Sequence, residues 1–234
     1  MQLQYNLKLL IFADKYFMRI KSFTLNPFGV NCYLYYDENT GEGFLIDPAV
    51  SDYDEEKEVS DFVTGYRINI RFIINTHGHI DHVMGNKWAS GYFSAPVLIH
   101  EDDNALLSKV VEQGMMFGIP LEPLPGADKF ISAGELITIR DCSVKILHTP
   151  GHSPGGICIV DEANKVIFSG DLLFNKSIGR TDLPGGDMQI LLKSINEKIL
   201  CYPDDFKIYP GHMDPTTIGD ERINNPFLNG EIES

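Results

Sequence analysis

Seven residues, Thr76-His77-Gly78-His79-Ile80-Asp81-His82, follow directly on the apolar segment Ile70 to Ile74. That segment reads as a buried strand, so three imidazoles and a carboxylate stand together at a strand end. The chain has seven histidines in all, and three of them fall in this one window. Neutral imidazole is the commonest metal ligand, and four donors in one turn fit a site for more than one ion. The competing reading is a histidine-rich turn whose rings bond to the backbone and to Asp81. A polynuclear site needs further donors, brought by distant sequence to the same edge of the fold. That demand constrains the architecture more than any other feature of the chain.

The sequence offers such donors at three further strand ends. His148-Thr149-Pro150-Gly151-His152-Ser153-Pro154-Gly155-Gly156 follows the apolar stretch Val144 to Leu147. Ser169-Gly170-Asp171 follows Val166 to Phe168, and Tyr209-Pro210-Gly211-His212 follows Phe206 to Ile208. A glycine precedes His152, Asp171 and His212 in turn, which lets the backbone bend sharply and the side chain project. Loops at strand ends are where a rigid scaffold presents reactive groups. Three such coincidences beside the histidine run favour the metal site over the histidine-rich turn.

The remaining pattern gives the expected architecture. Arg19 to Leu25, Asn31 to Tyr36 and Gly43 to Asp47 read as strands separated by turn residues. Tyr53 to Thr64 has helical spacing, Asn69 to Asn75 is a strand, Val83 to Ser90 is helical, and Pro96 to His100 is a strand. Asp102 to Val111 reads as a helix, and Glu112 to Lys129 as a long loop rich in proline and glycine, of the kind that is a functional cover or a mobile segment. Met115, Met116 and Phe117 in it read either as the lining of a substrate entrance or, by preference, as a cap on the core. Leu136 to Arg140, Ser143 to Leu147, Ile157 to Val160 and Val166 to Phe168 are strands, followed by a helix from Asp187 to Ile199 and a strand at Phe206 to Tyr209. The two halves resemble each other, which predicts two β-sheets packed face to face with helices outside. A chain of 234 residues with 43% apolar content supports a substantial core. Residues 18–234 are expected to form that single domain, and residues 1–17 to be an extension or a misassigned start.

A net charge of -14 argues against nucleic acid and against an anionic membrane surface as partners. The densest acidic run, Asp52 to Glu58, reads as a solvated helix face. The four cysteines are far apart and form no C-x-x-C pair, which points to reduced thiols in a cytoplasmic protein. The apolar stretch Leu7 to Phe12 is too short to span a bilayer and lacks the marks of a signal peptide.

Taken in order, the H-x-H-x-D-H run, Gly151-His152, Gly170-Asp171 and Gly211-His212 resemble the metallo-β-lactamase-fold hydrolases. The resemblance covers residues 18–228. His148 to Gly156, the run from Gly170-Asp171-Leu172 to Gly179-Arg180-Thr181-Asp182, and Thr217 to Phe227 are similar to the short glyoxalase II-like branch. The resemblance implies an α/β fold, a four-layer αββα sandwich. It implies two divalent metal ions, one held by His77, His79 and His152 and the other by Asp81, His82 and His212, with Asp171 between them. Asp81 and Asp171 are then the carboxylates at the reacting centre. Nitrogen and oxygen donors without thiolate suit zinc, iron or manganese, and zinc is the default expectation.

The activity implied is hydrolysis of a small acyl-thiol, such as S-D-lactoylglutathione, by a metal-bound hydroxide. A thiol with a pKa near about 8.5 leaves as thiolate with little help from a general acid, whereas an amide nitrogen needs a proton donor. Full-length glyoxalase II continues into a helical region that helps bind glutathione, and this sequence stops soon after His212, which leaves the thiol carrier open. Two other reactions remain open: a mononuclear iron persulfide dioxygenase and a lactonase of the same fold. Arg180 reads either as a substrate-carboxylate ligand or as a brace paired with Asp182. Asp47, at a strand end, reads as a carboxylate that orients a metal-binding histidine, or as a turn former ahead of Pro48. His148 and His100 read as structural.

Overall fold

The computed structural model describes residues 18–230; the stretch 1–17, expected to be an extension, lies outside the described residues. The first sheet begins with β1 (Met18–Leu25), β2 (Val30–Asp37) and β3 (Glu42–Ile46), paired antiparallel in sequence. It continues with β4 (Asn69–Ile74), β5 (Val97–His100) and β6 (Lys129–Ile131), all parallel. Parallel neighbours need crossovers, and helices lie in each of them, α1 (Tyr53–Gly65) before β4 and α3 (Asn86–Phe93) before β5 among them. The second sheet has the order β14-β13-β10-β9-β8-β7. Its strands are β7 (Leu136–Ile139), β8 (Cys142–His148), β9 (Ile157–Asp161), β10 (Val166–Gly170), β13 (Lys207–Pro210) and β14 (Thr216–Thr217). β11 (Leu173–Phe174) and β12 (Ser177–Ile178) form a small hairpin beside it.

Strand residues explain why the sheets stack. Successive side chains point to opposite faces, and in the central strands both faces are apolar. Tyr35, Phe44, Ile74 and Leu98 face the second sheet and meet Val144, Ile146, Ile159 and Phe168. Leu34, Leu45, Ile73 and Val97 point the other way, onto Val59 and Val63 of α1 and Ala89 of α3. On the far side Val160, Ile167 and Ile208 pack on Leu191 of α6 (Met188–Ser194) and on the π-helical turn Ile195–Ile199. The result is the expected four-layer αββα sandwich. The acidic run at Asp52 to Glu58 opens α1, where Asp52 caps the helix by accepting from the Glu55 amide.

Several boundaries differ from the sequence reading. The helix expected at Val83 to Ser90 is two pieces, α2 (Ile80–Val83) and α3, broken at Gly85. A Cβ there would stand 2.1 Å from the Pro48 carbonyl oxygen. The helix expected at Asp102 to Val111 is a 3-10 turn at Glu101–Asp103, α4 (Asn104–Ser108) and the start of α5 (Val110–Phe117). Consequently Met115, Met116 and Phe117 lie on a helix and not in a loop. Val110 and Gly114, four residues apart, turn the same face inward, and Gly114 lets the Ile119 carbonyl close over it. The irregular segment is thus shorter, about 118–128. α7 (Ile218–Asn224), capped by Thr217, closes the described chain. Among the described residues, no helix is long and apolar enough to cross a membrane.

Candidate metal centre

Four strand ends meet at one edge of the sandwich. β4 delivers His77, His79, Asp81 and His82; the loop after β8 delivers His152; β10 delivers Asp171; β13 delivers His212. Donor atoms of His77, His79 and His152 lie within 4.8 Å of one another, as do those of Asp81, His82 and His212. His79 Nδ1 stands 2.9 Å from His152 Nε2. Asp171 lies between the groups, with Oδ1 3.3 Å from His82 Nε2, and Oδ2 3.6 Å from His152 Nε2 and 3.4 Å from His212 Nε2. All seven residues predicted from sequence are therefore brought together. The glycines act here by two means. Gly170 takes a positive φ of 50°, whereas Gly211 is needed for space, because a Cβ would lie 2.2 Å from Asp171 Oδ1.

Hydrogen bonds around the donors fix which nitrogen is free in three of the rings. His152 Nδ1 lies 2.7 Å from the Arg180 carbonyl, which can only accept, so Nδ1 carries the proton and Nε2 keeps its lone pair. His82 Nδ1 likewise donates to Asp47 Oδ2 at 2.9 Å. Thr76 Oγ1 gives its single proton to Asp47 Oδ2 at 2.7 Å, so it must accept from His77 Nδ1 at 3.1 Å. One buried carboxylate thus sets two histidines, directly and through a hydroxyl. Asp47 holds a φ of 48°, and its other oxygen accepts from the Thr76 amide at 2.7 Å, which ties that conformation down.

Three buried atoms are left without a hydrogen-bond partner among the described residues: His77 Nε2, His82 Nε2 and Asp171 Oδ1. Each such atom ordinarily costs about 1–3 kcal/mol. A cation shared between them removes that cost, and nitrogen and carboxylate donors without sulfur fit a divalent ion. Electrostatics divide the two groups. Burial, with neighbouring imidazoles, pushes His77 well down and His79 to about 4, so both are neutral. Burial opposes the charge on His82 and His212 too, but carboxylates outweigh it. Asp171, Asp81 and Asp47 hold His82 well above the ordinary range, and hydrogen bonds to Asp171 and Asp81 lift His212 to about 9. Burial works against ionisation of Asp171 as well, yet His82 and His212 hold it well below the carboxylate range.

A cavity of about 810 Å³ opens over the donors. Its floor includes His79, Asp81, His152, Asp171 and His212, and Phe28, Met116, Phe117 and Phe174 are among its apolar walls. Two cations reach it, Arg180 and Lys109. Arg180 makes a two-pronged pair with Asp182, at 2.6 and 2.7 Å, with both side chains exposed. His100 and His148 stack on each other away from this floor, rings 4.0 Å apart, and His148 Nε2 donates to the Pro154 carbonyl.

Sequence reasoning gave Thr76 no special role and missed Asp103 and Ser153. Asp103 is fully buried and accepts from Gly78 N, Gly155 N and the Ser153 hydroxyl. It sits just past β5, whose neighbour in the sheet is β4. An acidic residue at the end of the strand beside the histidine strand was the available signal. Lys109 was also overlooked, because the break between α4 and α5 that aims it at the cavity leaves no periodic trace.

Comparison with known proteins agrees with this geometry. The sequence model of the Metallo-beta-lactamase superfamily matches residues 25–212, and the chain belongs to that superfamily. It is 35% identical over 216 residues to the hydroxyacylglutathione hydrolase GloC of Haemophilus influenzae, covering 92% of this chain and all of that one. Among solved structures it is similar to the B3 metallo-beta-lactamase BLEG-1, at 34% identity and a TM-score of 0.84, covering 91% of this chain and 100% of that chain. The structure of TTHA1623 in a di-iron-bound form is similar at 32% identity and a TM-score of 0.79, over 89% of this chain and 100% of that chain.

Proposed function

We propose that this metallo-hydrolase-fold chain hydrolyses a small thioester, such as S-D-lactoylglutathione, with two divalent ions. The observation that carries the reading is the pair of three-donor groups joined by Asp171 on the floor of an open, largely apolar cavity. His77, His79 and His152 would hold one ion, and Asp81, His82 and His212 the other, with Asp171 contacting both. Zinc remains the default, and iron is supported by the di-iron form of a similar structure. When bound, such ions lower the pKa of water towards about 7 and polarise a carbonyl.

The chain's own residues do the rest. Asp47 and Thr76 keep the protons of His82 and His77 on Nδ1, and the Arg180 carbonyl does so for His152. Phe28, Phe117 and Phe174 shield the acyl group from bulk water. Arg180 and Lys109 offer positive charge to a substrate carboxylate. Lys109 makes no ion pair among the described residues, and Arg180 can exchange Asp182 for substrate at little cost, since exposed pairs contribute little. A thiolate leaves the cavity without a dedicated proton donor, which favours a thioester over an amide. The GloC relative carries the name of a hydroxyacylglutathione hydrolase, which supports glutathione as the thiol. Three buried, separate thiols fit a reducing cytoplasm.

The test is release of free thiol from lactoylglutathione and from acyl esters of smaller thiols, using protein reloaded with zinc, iron or manganese. Metal-dependent release is expected, and Arg180→Ala should raise KM about tenfold with kcat held, as loss of one charged hydrogen bond predicts. Absence of release from every thioester with every metal would overturn the proposal.

A further inference from the structure

We propose that Asp103 is a positioning residue that locks the two loops carrying His77, His79 and His152 into one donor set. The inference rests on the reading above that these three hold an ion, but not on the reaction catalysed. Asp103 comes from the 3-10 turn after β5 and belongs to neither histidine loop. Its Oδ2 accepts from the Gly78 amide at 2.8 Å and from the Ser153 hydroxyl at 2.7 Å. Its Oδ1 accepts from the Gly155 amide at 2.5 Å. Gly78 is flanked by His77 and His79, and Ser153 follows His152. The carboxylate therefore joins the backbone on either side of the 2.9 Å approach between His79 Nδ1 and His152 Nε2.

Packing leaves this junction no slack. A Cβ on Gly78 would lie 2.9 Å from the Asp103 carbonyl oxygen, and one on Gly155 would lie 2.6 Å from its amide nitrogen. Both loops rest on Asp103 at backbone contact. A carboxylate is also the one group that suits the position, because all three partners donate. Asparagine would turn an NH2 towards one side or the other. With that NH2 on the Oδ1 side, the Gly155 amide loses its acceptor; on the Oδ2 side, the Gly78 amide does. The Ser153 hydroxyl can rotate to accept, but a backbone N–H cannot. Among the described residues, the side-chain hydrogen bonds of Asp103 reach none of Asp81, His82 or His212. Its influence should therefore fall on one ion and spare the other.

The experiment titrates metal-free wild type, Asp103→Asn and Ser153→Ala with Co2+ against a chromophoric chelator, with the cobalt absorption and the shifted ring N–H resonances as readouts. Wild type should take two ions. Asp103→Asn should weaken one step by about 10–100-fold, the range for partners that orient metal ligands, and leave the other unchanged. The His152 ring N–H should move while that of His82 stays. Ser153→Ala removes one of the three hydrogen bonds and should weaken the same step by less. Equal weakening of both steps overturns the proposal, as does an unchanged titration with only a lower urea midpoint. If Asp103→Asn does not fold, Ser153→Ala decides by the same criteria. Failure of the hydrolase reading is seen separately, in thiol release by the wild type.

Discussion

At Asp47 one carboxylate accepts from the Thr76 amide, the Thr76 hydroxyl and the His82 ring, and two histidines take their tautomer from it. Asp47→Asn keeps the volume but puts an NH2 against donors. Metal affinity should fall by about 10–100-fold, measured by chelator competition, and unchanged affinity would show that the histidines orient without it. Proton occupancy separates the two donor groups. His79 at about 4 is already neutral in weak acid, whereas His212 at about 9 must lose a proton to become a ligand. The Asp81, His82 and His212 group should therefore bind more tightly as pH rises towards 9, whereas His79 should add little pH dependence above pH 6. In the metal-free protein the signs run oppositely. His212 is raised above its ordinary 6.5, so its contribution is complete below that value and is lost as pH rises through about 9. His79 is lowered, so stability falls as pH drops from 6.5 through about 4. Urea midpoints of the metal-free chain across this range should pass through a maximum.

Elements matter through what they hold apart and bring together. Ile146 of β8 is buried between the sheets, away from the donor atoms. Ile146→Ala should cost about 2–5 kcal/mol by urea denaturation, without changing the number of ions bound. Gly211, at the end of β13, behaves differently, since its missing Cβ makes room for Asp171. Gly211→Ala should remove metal binding even where the chain still folds, and retention of both ions would show that the strand end can yield. The strands that carry the donors were legible because their apolar runs are long and end in glycine-histidine or glycine-aspartate. β11, β12 and β14 were not, because two-residue ladders have no period to read. α5 was hidden by Gly114 and Gly118, which read as loop residues although one is a packing contact and the other ends the helix.

For the whole molecule, the seven donors were legible because each is a distinctive residue at a strand end, and the αββα layering because strands and crossover helices recur in both halves. What joins the donors was harder to see. Asp47 was legible from its place at a strand end, but Asp103 is an ordinary aspartate in the run Glu101-Asp102-Asp103 until the fold brings β4 and β5 side by side. Lys109 and the part of the cavity wall formed by Met116 and Phe117 depend on the break between α4 and α5. The central claim is that two ions, held by both donor groups, act together on a thioester. The most direct measurement adds zinc or iron stepwise to metal-free protein while following thiol release from lactoylglutathione and oxygen uptake on glutathione persulfide. Thiol release should rise up to two equivalents per chain, with no oxygen consumed. Saturation at one equivalent of iron, with oxygen consumed on the persulfide and no thioester cleaved, would contradict it.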